Sequence, residues 1–242
     1  MQIVMSYVKG NSGYHYRYKD SDLAERYLRC QVDNTLRLGW TPIIATNFPF
    51  EWKGIKSHVV DIQSNISAFA NKMPMLDWLI SNGLVSDDIL YQDVDVFNLR
   101  YHNFPYEVKD VGMVHHSCIR LRKPQGGVVY FRKSAYDIIH QLAQEIVEKK
   151  VKKEESFLPS FYNRPEYKDR FTWLNYTYNM FRQGEFKLKY PLALLPIINC
   201  HFHPEDKSCS DCFIEGINAH GVKVITPEVK ELIIAHELYK KV

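Results

Sequence analysis

The first sixty residues alternate between strand-like and helix-like patterns, which restricts the chain to few fold classes. Residues 2–8 form a short, β-branched, apolar run that stops at a Gly- and Ser-containing segment. Residues 21–38 carry apolar side chains at near-helical spacing and end at Gly39, a residue favoured just after a helix. Two more apolar runs, 41–46 and 58–62, follow. This order predicts an α/β fold.

Apolar periodicity predicts further elements along the rest of the chain. Strands are expected at 88–97, 111–115, 127–131 and 192–200, and helices near 66–82, 134–150, 173–181 and 227–240. We therefore expect a single mixed sheet flanked by helices, with a small C-terminal extension that contains Cys and His. The expected division is a catalytic domain over 1–207 and an extension over 208–242 packed on it.

Composition excludes several classes of protein. The 242 residues include 31 Lys and Arg against 28 Asp and Glu, and 45% are hydrophobic, as in ordinary globular proteins. No apolar run reaches the ~20 residues of a membrane-spanning helix. The five Cys are an odd number, and the N-terminus lacks the basic start of a secretory signal. We expect a cytoplasmic location without a membrane span.

Two aspartates interrupt the strand pattern at 88–97. Asp93 and Asp95 are separated by one residue, so in a strand both side chains point to the same side. The flanking apolar residues imply burial, and buried carboxylates are costly unless they are paired or bound to metal. Carboxylate oxygens suit Mg²⁺ or Mn²⁺, which keep open positions for phosphate oxygens. The pair therefore predicts a cation site for a diphosphate.

A second cluster of candidate ligands lies near residue 200. A neutral imidazole at His201 can complete the coordination of a cation beside two carboxylates, and Lys207 can neutralise a departing phosphate. The same segment offers an alternative, because Cys209 and Cys212 have Cys-x-x-Cys spacing. Together with His203 and Cys200 they would hold a structural Zn²⁺.

Three of these features resemble one family. Residues 89–97, Ile-Leu-Tyr-Gln-Asp-Val-Asp-Val-Phe, look like the Asp-x-Asp element of the GT-A-fold glycosyltransferases, which use nucleotide-sugar donors. Lys72 lies upstream, where many of these enzymes carry a basic residue at the start of a helix. Residues 201–207 are similar to the His-Phe-x-Gly-x-x-Lys segment of the glycogenin-like, galactosyltransferase-like branch, with Pro204 in place of the glycine.

A fourth feature agrees in order along the chain. Gln125, Gly126 and Gly127 resemble the small-residue strand entry that lies beside the donor sugar in this family. The resemblance implies a GT-A-like, Rossmann-like sheet and metal-dependent transfer of a hexosyl or pentosyl group from a nucleotide diphosphate-sugar to an acceptor hydroxyl. Asp93, Asp95 and His201 would bind Mn²⁺ or Mg²⁺. The acceptor would be a glycan or a hydroxylated base in nucleic acid.

The remaining site candidates belong to the two substrates. Tyr7, Arg17 and Asp61 lie at or after expected strand ends, where α/β folds bind nucleotides. The family's Asp-Gln-x-x-Leu-Asn segment has a partial counterpart at 169–175, so the acceptor-side carboxylate is left open. The candidates for this general base or acceptor-binding group are Asp169, Glu154 and Glu155.

Two rival functions are compatible with the same residues. The Asp pair would also serve a nucleotidyltransferase or a phosphate-ester hydrolase, because a cation on a diphosphate does not determine which bond breaks. The other is a zinc-stabilised nucleic-acid-binding module centred on 200–220, with the basic stretch 149–153 and the aromatic-rich segment 161–190 as its surface. The net charge of +3 weakens this module, since phosphate tracking normally leaves a clearer basic excess.

Overall fold

The computed structural model describes residues 1–9, 21–61, 66, 70–115, 124–152, 157–158, 161–181, 197–201 and 225–239. The helices in these ranges are α1 (Ser21–Arg37), α2 (Lys72–Ser81), α3 (Tyr136–Glu148) and α4 (Pro227–Ala235). The strands are β1 (Gln2–Tyr7), β2 (Pro42–Thr46), β3 (Glu51–Trp52), β4 (Ile55–Lys56), β5 (His58–Val59), β6 (Ile89–Gln92), β7 (Val96–Asn98), β8 (Val111–His115), β9 (Pro124–Phe131), β10 (Phe171–Leu174), β11 (Met180–Phe181) and β12 (Asn199–His201).

Seven of these strands form one mixed sheet, the large sheet, in the order β10-β8-β9-β6-β1-β2-β5. Strands β1, β2, β5 and β6 are mutually parallel, and β9 runs antiparallel to both β6 and β8. Strand β10 is parallel to β8. Every strand of the large sheet except β9 therefore ends at the same edge, the carboxyl edge, and β9 begins there.

A small sheet of three strands, in the order β11-β12-β7, packs between the large sheet and two helices. Val96 of β7 is buried with residues of the large sheet such as Leu90 and Tyr130. Phe97, the next residue, is buried instead with Leu28 of α1 and Val229 of α4. Because neighbouring residues of a strand point to opposite faces, β7 joins two apolar clusters.

The opposite face of the large sheet is covered by α2 and α3. Their buried side chains, among them Leu76 and Ile139, share one apolar cluster with Tyr91 and Val129 of the sheet. Helices on both faces of a mostly parallel sheet are the arrangement that the strand and helix order predicted. The predicted fold class is confirmed.

Two predicted elements are wrong in detail. The segment 173–181 is not a helix, because Phe171–Leu174 pair with β8 and only a single 3₁₀ turn, Tyr176–Tyr178, follows before β11. Edge pairing of β-branched and aromatic residues outweighs the helical spacing of the segment. The strand at 88–97 is two strands, β6 and β7, which belong to different sheets.

The other boundaries shift by a few residues. Helix α2 begins at Lys72 instead of 66, and Pro74 in its first turn is tolerated because the N–H groups there have no intrahelical partner. Helix α4 begins after Thr226, whose side chain accepts a hydrogen bond from the Val229 N–H. Helix α4 packs on α1. The domain boundary expected at residue 207 stays a prediction. No helix among the described residues has the length and apolarity to cross a bilayer.

A partly buried ion pair ties the segment before β10 to α3. Arg164 donates from Nη1 and Nη2 to the two carboxylate oxygens of Glu145, at 2.7 and 2.8 Å. Lys149 donates to the same carboxylate. These bonds, with Arg164 as the main cause, lower the pKa of Glu145 from 4.5 to about 2.

We expect this pair to make stability depend on pH at the acid end. A carboxylate with a lowered folded pKa stabilises the fold above its unfolded pKa, and this contribution is lost as pH falls from 4.5 through about 2. Glu145→Gln should lower the urea midpoint at pH 7 and flatten its fall over that window. A parallel fall of the midpoint in both proteins would contradict the assignment.

Candidate cation and donor site

The two aspartates lie in the tight turn that links the two sheets. Gln92 ends β6 and Val96 begins β7, so Asp93, Val94 and Asp95 form the connection. The Asp93 N–H donates to the Gly127 carbonyl of β9 at 2.8 Å, and the Val96 N–H donates to the Asp93 carbonyl at 3.1 Å. A turn, and not the extended strand we expected, therefore brings the two carboxylates to the same side.

Strand β12 adds an imidazole to the carboxylates. It runs antiparallel to β7, with His201 opposite Val96. One ligand atom from each of Asp93, Asp95 and His201 lies within 4.8 Å of the others. His201 Nε2 is 3.1 Å from Asp95 Oδ1, and the two side chains are only 8% and 10% exposed. The sequence-predicted ligands do come together.

Gly127 makes room for the imidazole. A Cβ on this residue would lie 2.4 Å from His201 Cε1 and Nδ1, and 3.5 Å from Asp93 Oδ2. Such a contact is far inside van der Waals distance, so no larger residue fits without displacing the ring. The glycine is needed here for close approach, not for a special backbone angle.

Lys72 opens α2 directly against the cluster. Its Nζ donates to Asp93 Oδ2 at 2.7 Å, with the Lys72 side chain 14% exposed. Burial raises the pKa of Asp93, the charges of Lys72 and His201 oppose this rise, and the charge of Asp95 adds to it. Two nearby carboxylates in a buried place favour cationic partners.

The donor set fits a divalent cation. Two carboxylates and one imidazole are ligands that Mg²⁺ and Mn²⁺ accept, and three protein ligands leave positions for phosphate oxygens or water. Gly127 forms a cradle that a Cβ would fill. The cluster lies at the carboxyl edge, where open α/β sheets bind their ligands.

Tyr7, at the end of β1, lies beside the cluster. Burial and then the charge of Asp95 raise the pKa of Tyr7 to about 12, so its hydroxyl stays neutral and can donate. The Tyr7 ring meets the Phe48 ring edge to face, with centroids 6.3 Å apart. Asp61 is exposed, just beyond β5 at the end of the sheet's strand order. It is on the carboxyl edge but away from the cluster.

The remaining predicted residues divide into two groups. Gln125 and Gly126 lie in the first residues of β9, at the carboxyl edge. The others lie outside the residues that the structure describes: Arg17, Glu154, Glu155, His203, Lys207, Cys209 and Cys212.

The structure places two candidates away from the cluster. Asp169 is exposed and immediately precedes the Arg170 that pairs with Asp110 at the start of β8. This is the edge of the large sheet opposite the cluster. Cys200 is buried with Phe97 and the α1 and α4 side chains, on the face of β12 opposite His201. It does not face the cluster of Asp93, Asp95 and His201.

Buried polar side chains that no sequence motif indicated lie near the aspartate turn. Gln92 and Asn98, which flank the turn, are fully buried and bonded to each other. Behind β12, the Tyr130 hydroxyl meets His102 Nε2 at 2.7 Å and Asn199 Nδ2 at 3.3 Å. The signal was present in the sequence, because Gln92 and Asn98 interrupt otherwise apolar strand positions.

The chain matches known proteins in structure but not in sequence. No protein-family model and no curated protein sequence matches the chain. Solved structures do match it. The galactosyltransferase LgtC, solved with donor and acceptor sugar analogues, has a TM-score of 0.55 at 11% identity, with 100% of this chain and 97% of that chain covered.

Two further structures agree. A glycosyltransferase involved in glycosylation of the major capsid of PBCV-1 has a TM-score of 0.54 at 10% identity, covering 83% of this chain and 93% of that chain. The glycosyltransferase GlyE of Streptococcus pneumoniae TIGR4 has a TM-score of 0.53 at 16% identity, covering 83% and 54%. The chain has the GT-A fold. In this GT-A chain, Asp93, Asp95 and His201 form a cluster that could be an Asp-x-Asp type of cation site.

We expect Gly127→Ala to destabilise the GT-A chain by about 1–3 kcal/mol, because the new methyl group overlaps the His201 ring. Urea denaturation of Gly127→Ala, His201→Ala and the double variant measures this overlap as a coupling energy. The methyl group should cost little once the ring is removed. An equal cost in both backgrounds would show that the β9 backbone, not the imidazole, excludes a side chain.

Proposed function

We propose that the chain is a metal-dependent glycosyltransferase that moves a sugar from a nucleotide diphosphate-sugar to an acceptor hydroxyl. The observation that carries this proposal is the cluster of Asp93, Asp95 and His201 at the carboxyl edge of a GT-A sheet. Its donor atoms suit Mn²⁺ or Mg²⁺, and the edge is where the fold class binds nucleotides. The fold similarity to glycosyltransferases supports the reaction class.

The residues of the cluster have separate roles in this proposal. Asp93, Asp95 and His201 hold the cation, which when bound neutralises the diphosphate as negative charge develops on it. Lys72 supplies a fixed positive charge from α2, within 2.7 Å of Asp93 Oδ2. Lys207 is proposed for the same task.

The donor nucleotide and sugar are assigned to the strand ends around the cluster. Tyr7 donates a hydrogen bond or packs against the nucleoside, and Arg17 and Asp61 are proposed as phosphate and ribose contacts. Gly126 is proposed to lie beside the donor sugar, as the resemblance implies, while Gly127 leaves room for the His201 ring.

The acceptor is proposed to be a hydroxyl of a glycan. Glu154 and Glu155 are the carboxylates retained as base or acceptor-binding groups. The contacts of Lys149 argue against a nucleic-acid acceptor. This lysine of the basic stretch pairs with Glu145 and lies over the Phe157 ring at 5.1 Å. Its charge is therefore already paired within the chain.

The test is release of nucleoside diphosphate from a panel of nucleotide-sugars with Mn²⁺. We expect Asp93→Ala and Asp95→Ala to lower turnover by at least about 100-fold, because each removes a charged cation ligand. Asp169→Ala, on the opposite edge, is the matched control and should keep full turnover. Full activity of either cluster variant would overturn the assignment.

The products separate the rival enzymes. Release of sugar phosphate with transfer of the nucleotidyl group to an acceptor would indicate a nucleotidyltransferase, and release of sugar phosphate with free nucleoside monophosphate would indicate a hydrolase. Transfer of label from the donor sugar to an added glycan identifies glycosyl transfer directly.

Lys72 has opposite expected effects on cation and donor. Lys72→Met should bind Mn²⁺ alone more tightly, because a positive charge next to Asp93 is removed. The same variant should lose turnover with donor on the order of 100-fold, since the departing diphosphate loses a charged partner. Calorimetric Mn²⁺ titration and steady-state turnover measure the two effects. Lys72→Arg keeps the charge and serves as the control; weaker Mn²⁺ binding in Lys72→Met would assign the lysine a purely structural role.

A further inference from the structure

Three buried carboxamides form a hydrogen-bonded series directly behind the aspartate turn. Asn98 Nδ2 donates to Gln92 Oε1 at 2.8 Å, and Gln92 Nε2 donates to Gln31 Oε1 at 3.3 Å. All three side chains belong to residues that are 0% exposed. Gln92 lies in the large sheet, Asn98 in the small sheet and Gln31 in α1. This carboxamide relay therefore joins three elements at one place.

The relay is costly for stability. Gln31 Nε2 and Asn98 Oδ1 are buried and have no hydrogen-bond partner among the described residues. A buried polar atom without a partner destabilises the fold, whereas an apolar side chain of the same size would fill the space without that penalty. What the polar groups add is direction, because a hydrogen bond fixes the distance and orientation of the two elements it joins.

The cation cluster, like the carboxamide relay, contains residues from both sheets. Asp93 is held to the large sheet by its N–H bond to the Gly127 carbonyl. His201 is held to the small sheet, in register with Val96. The distance between their ligand atoms therefore depends on the separation of the two sheets. The bond from Gln92 to Asn98 crosses this gap immediately beside the turn.

A second contact fixes the small sheet in the same place. Arg37 of α1 donates from Nη2 to the Asn98 carbonyl at 3.0 Å and to Asn34 Oδ1 at 3.0 Å. The end of β7 is thus bonded both to the large sheet and to α1. Neither bond involves a residue of the cation cluster.

We infer that Gln31, Gln92 and Asn98 are positioning residues that hold the two sheets at the separation a divalent cation needs. The inference rests on the proposed function, because it takes Asp93, Asp95 and His201 as the cation ligands. The carboxamides do not bind the cation. They act through the backbone of the turn and of β7, as groups that orient metal ligands commonly do.

The test is Mn²⁺ affinity of the full-length chain, measured by isothermal titration calorimetry without donor. Gln92→Met removes both relay bonds while keeping the side-chain volume, and we expect Mn²⁺ to bind about 10–100-fold more weakly. Thr35→Val is the matched control. Thr35 is buried one turn from Gln31, and its hydroxyl donates to the Gln31 carbonyl at 2.7 Å, within α1. It should lower the melting temperature and leave Mn²⁺ affinity unchanged.

The outcomes separate the inference from the proposed function. Wild-type Mn²⁺ affinity in folded Gln92→Met overturns the inference alone, and so does an equal loss of affinity in Thr35→Val. If Gln92→Met does not fold, Gln31→Met decides, since it removes only the α1 end of the relay. Its expected loss of affinity is about tenfold, and an unchanged value overturns the inference. A wild-type chain that binds no Mn²⁺ overturns the proposed function as well.

Discussion

Two carboxylates in one short turn, Asp93 half-buried and Asp95 buried, are the constraint on which the rest of this structure depends. Burial raises the pKa of Asp93, and the charge of Asp95 adds to this rise. Lys72 at the start of α2 and His201 of β12 contact these carboxylates, and Gly127 leaves room for the His201 ring. Each of these groups is supplied by a different element. The cluster therefore forms only when α2, β9 and β12 are all in place around the turn.

The fold and the two aspartates of the cluster were predictable because their signals in the sequence are local or few. The strand and helix periodicities identified the α/β class, and two aspartates in an apolar run are conspicuous wherever they occur. His201 was harder to predict, since its approach to Asp95 depends on β12 pairing with β7. The resemblance to a family, and not periodicity, suggested it. The prediction of a helix over 173–181 was wrong because aromatic residues at helical spacing also suit an edge strand. Pairing with β8 decides between the two.

Other parts of the site were not predictable, for physical reasons. Asp169 was a reasonable candidate by its sequence context, but the direction of β10 places it on the wrong edge of the sheet. Gln92 has its partner Gln31 61 residues away, and a single sequence contains no signal for such a pair. Cys200 and His201 are neighbours in sequence with opposite surroundings, because a strand alternates its faces.

The attachment of the site to two sheets has a consequence for how the chain acquires it. The aspartates come from the middle of the chain and the imidazole from its last quarter, so the small sheet closes through a contact between distant segments. Contacts of this kind form late, because the chain entropy of closing a long loop must first be overcome. An incompletely folded chain has both aspartates but no assembled ligand set. The cation binding that we propose would therefore stabilise only the fully folded chain.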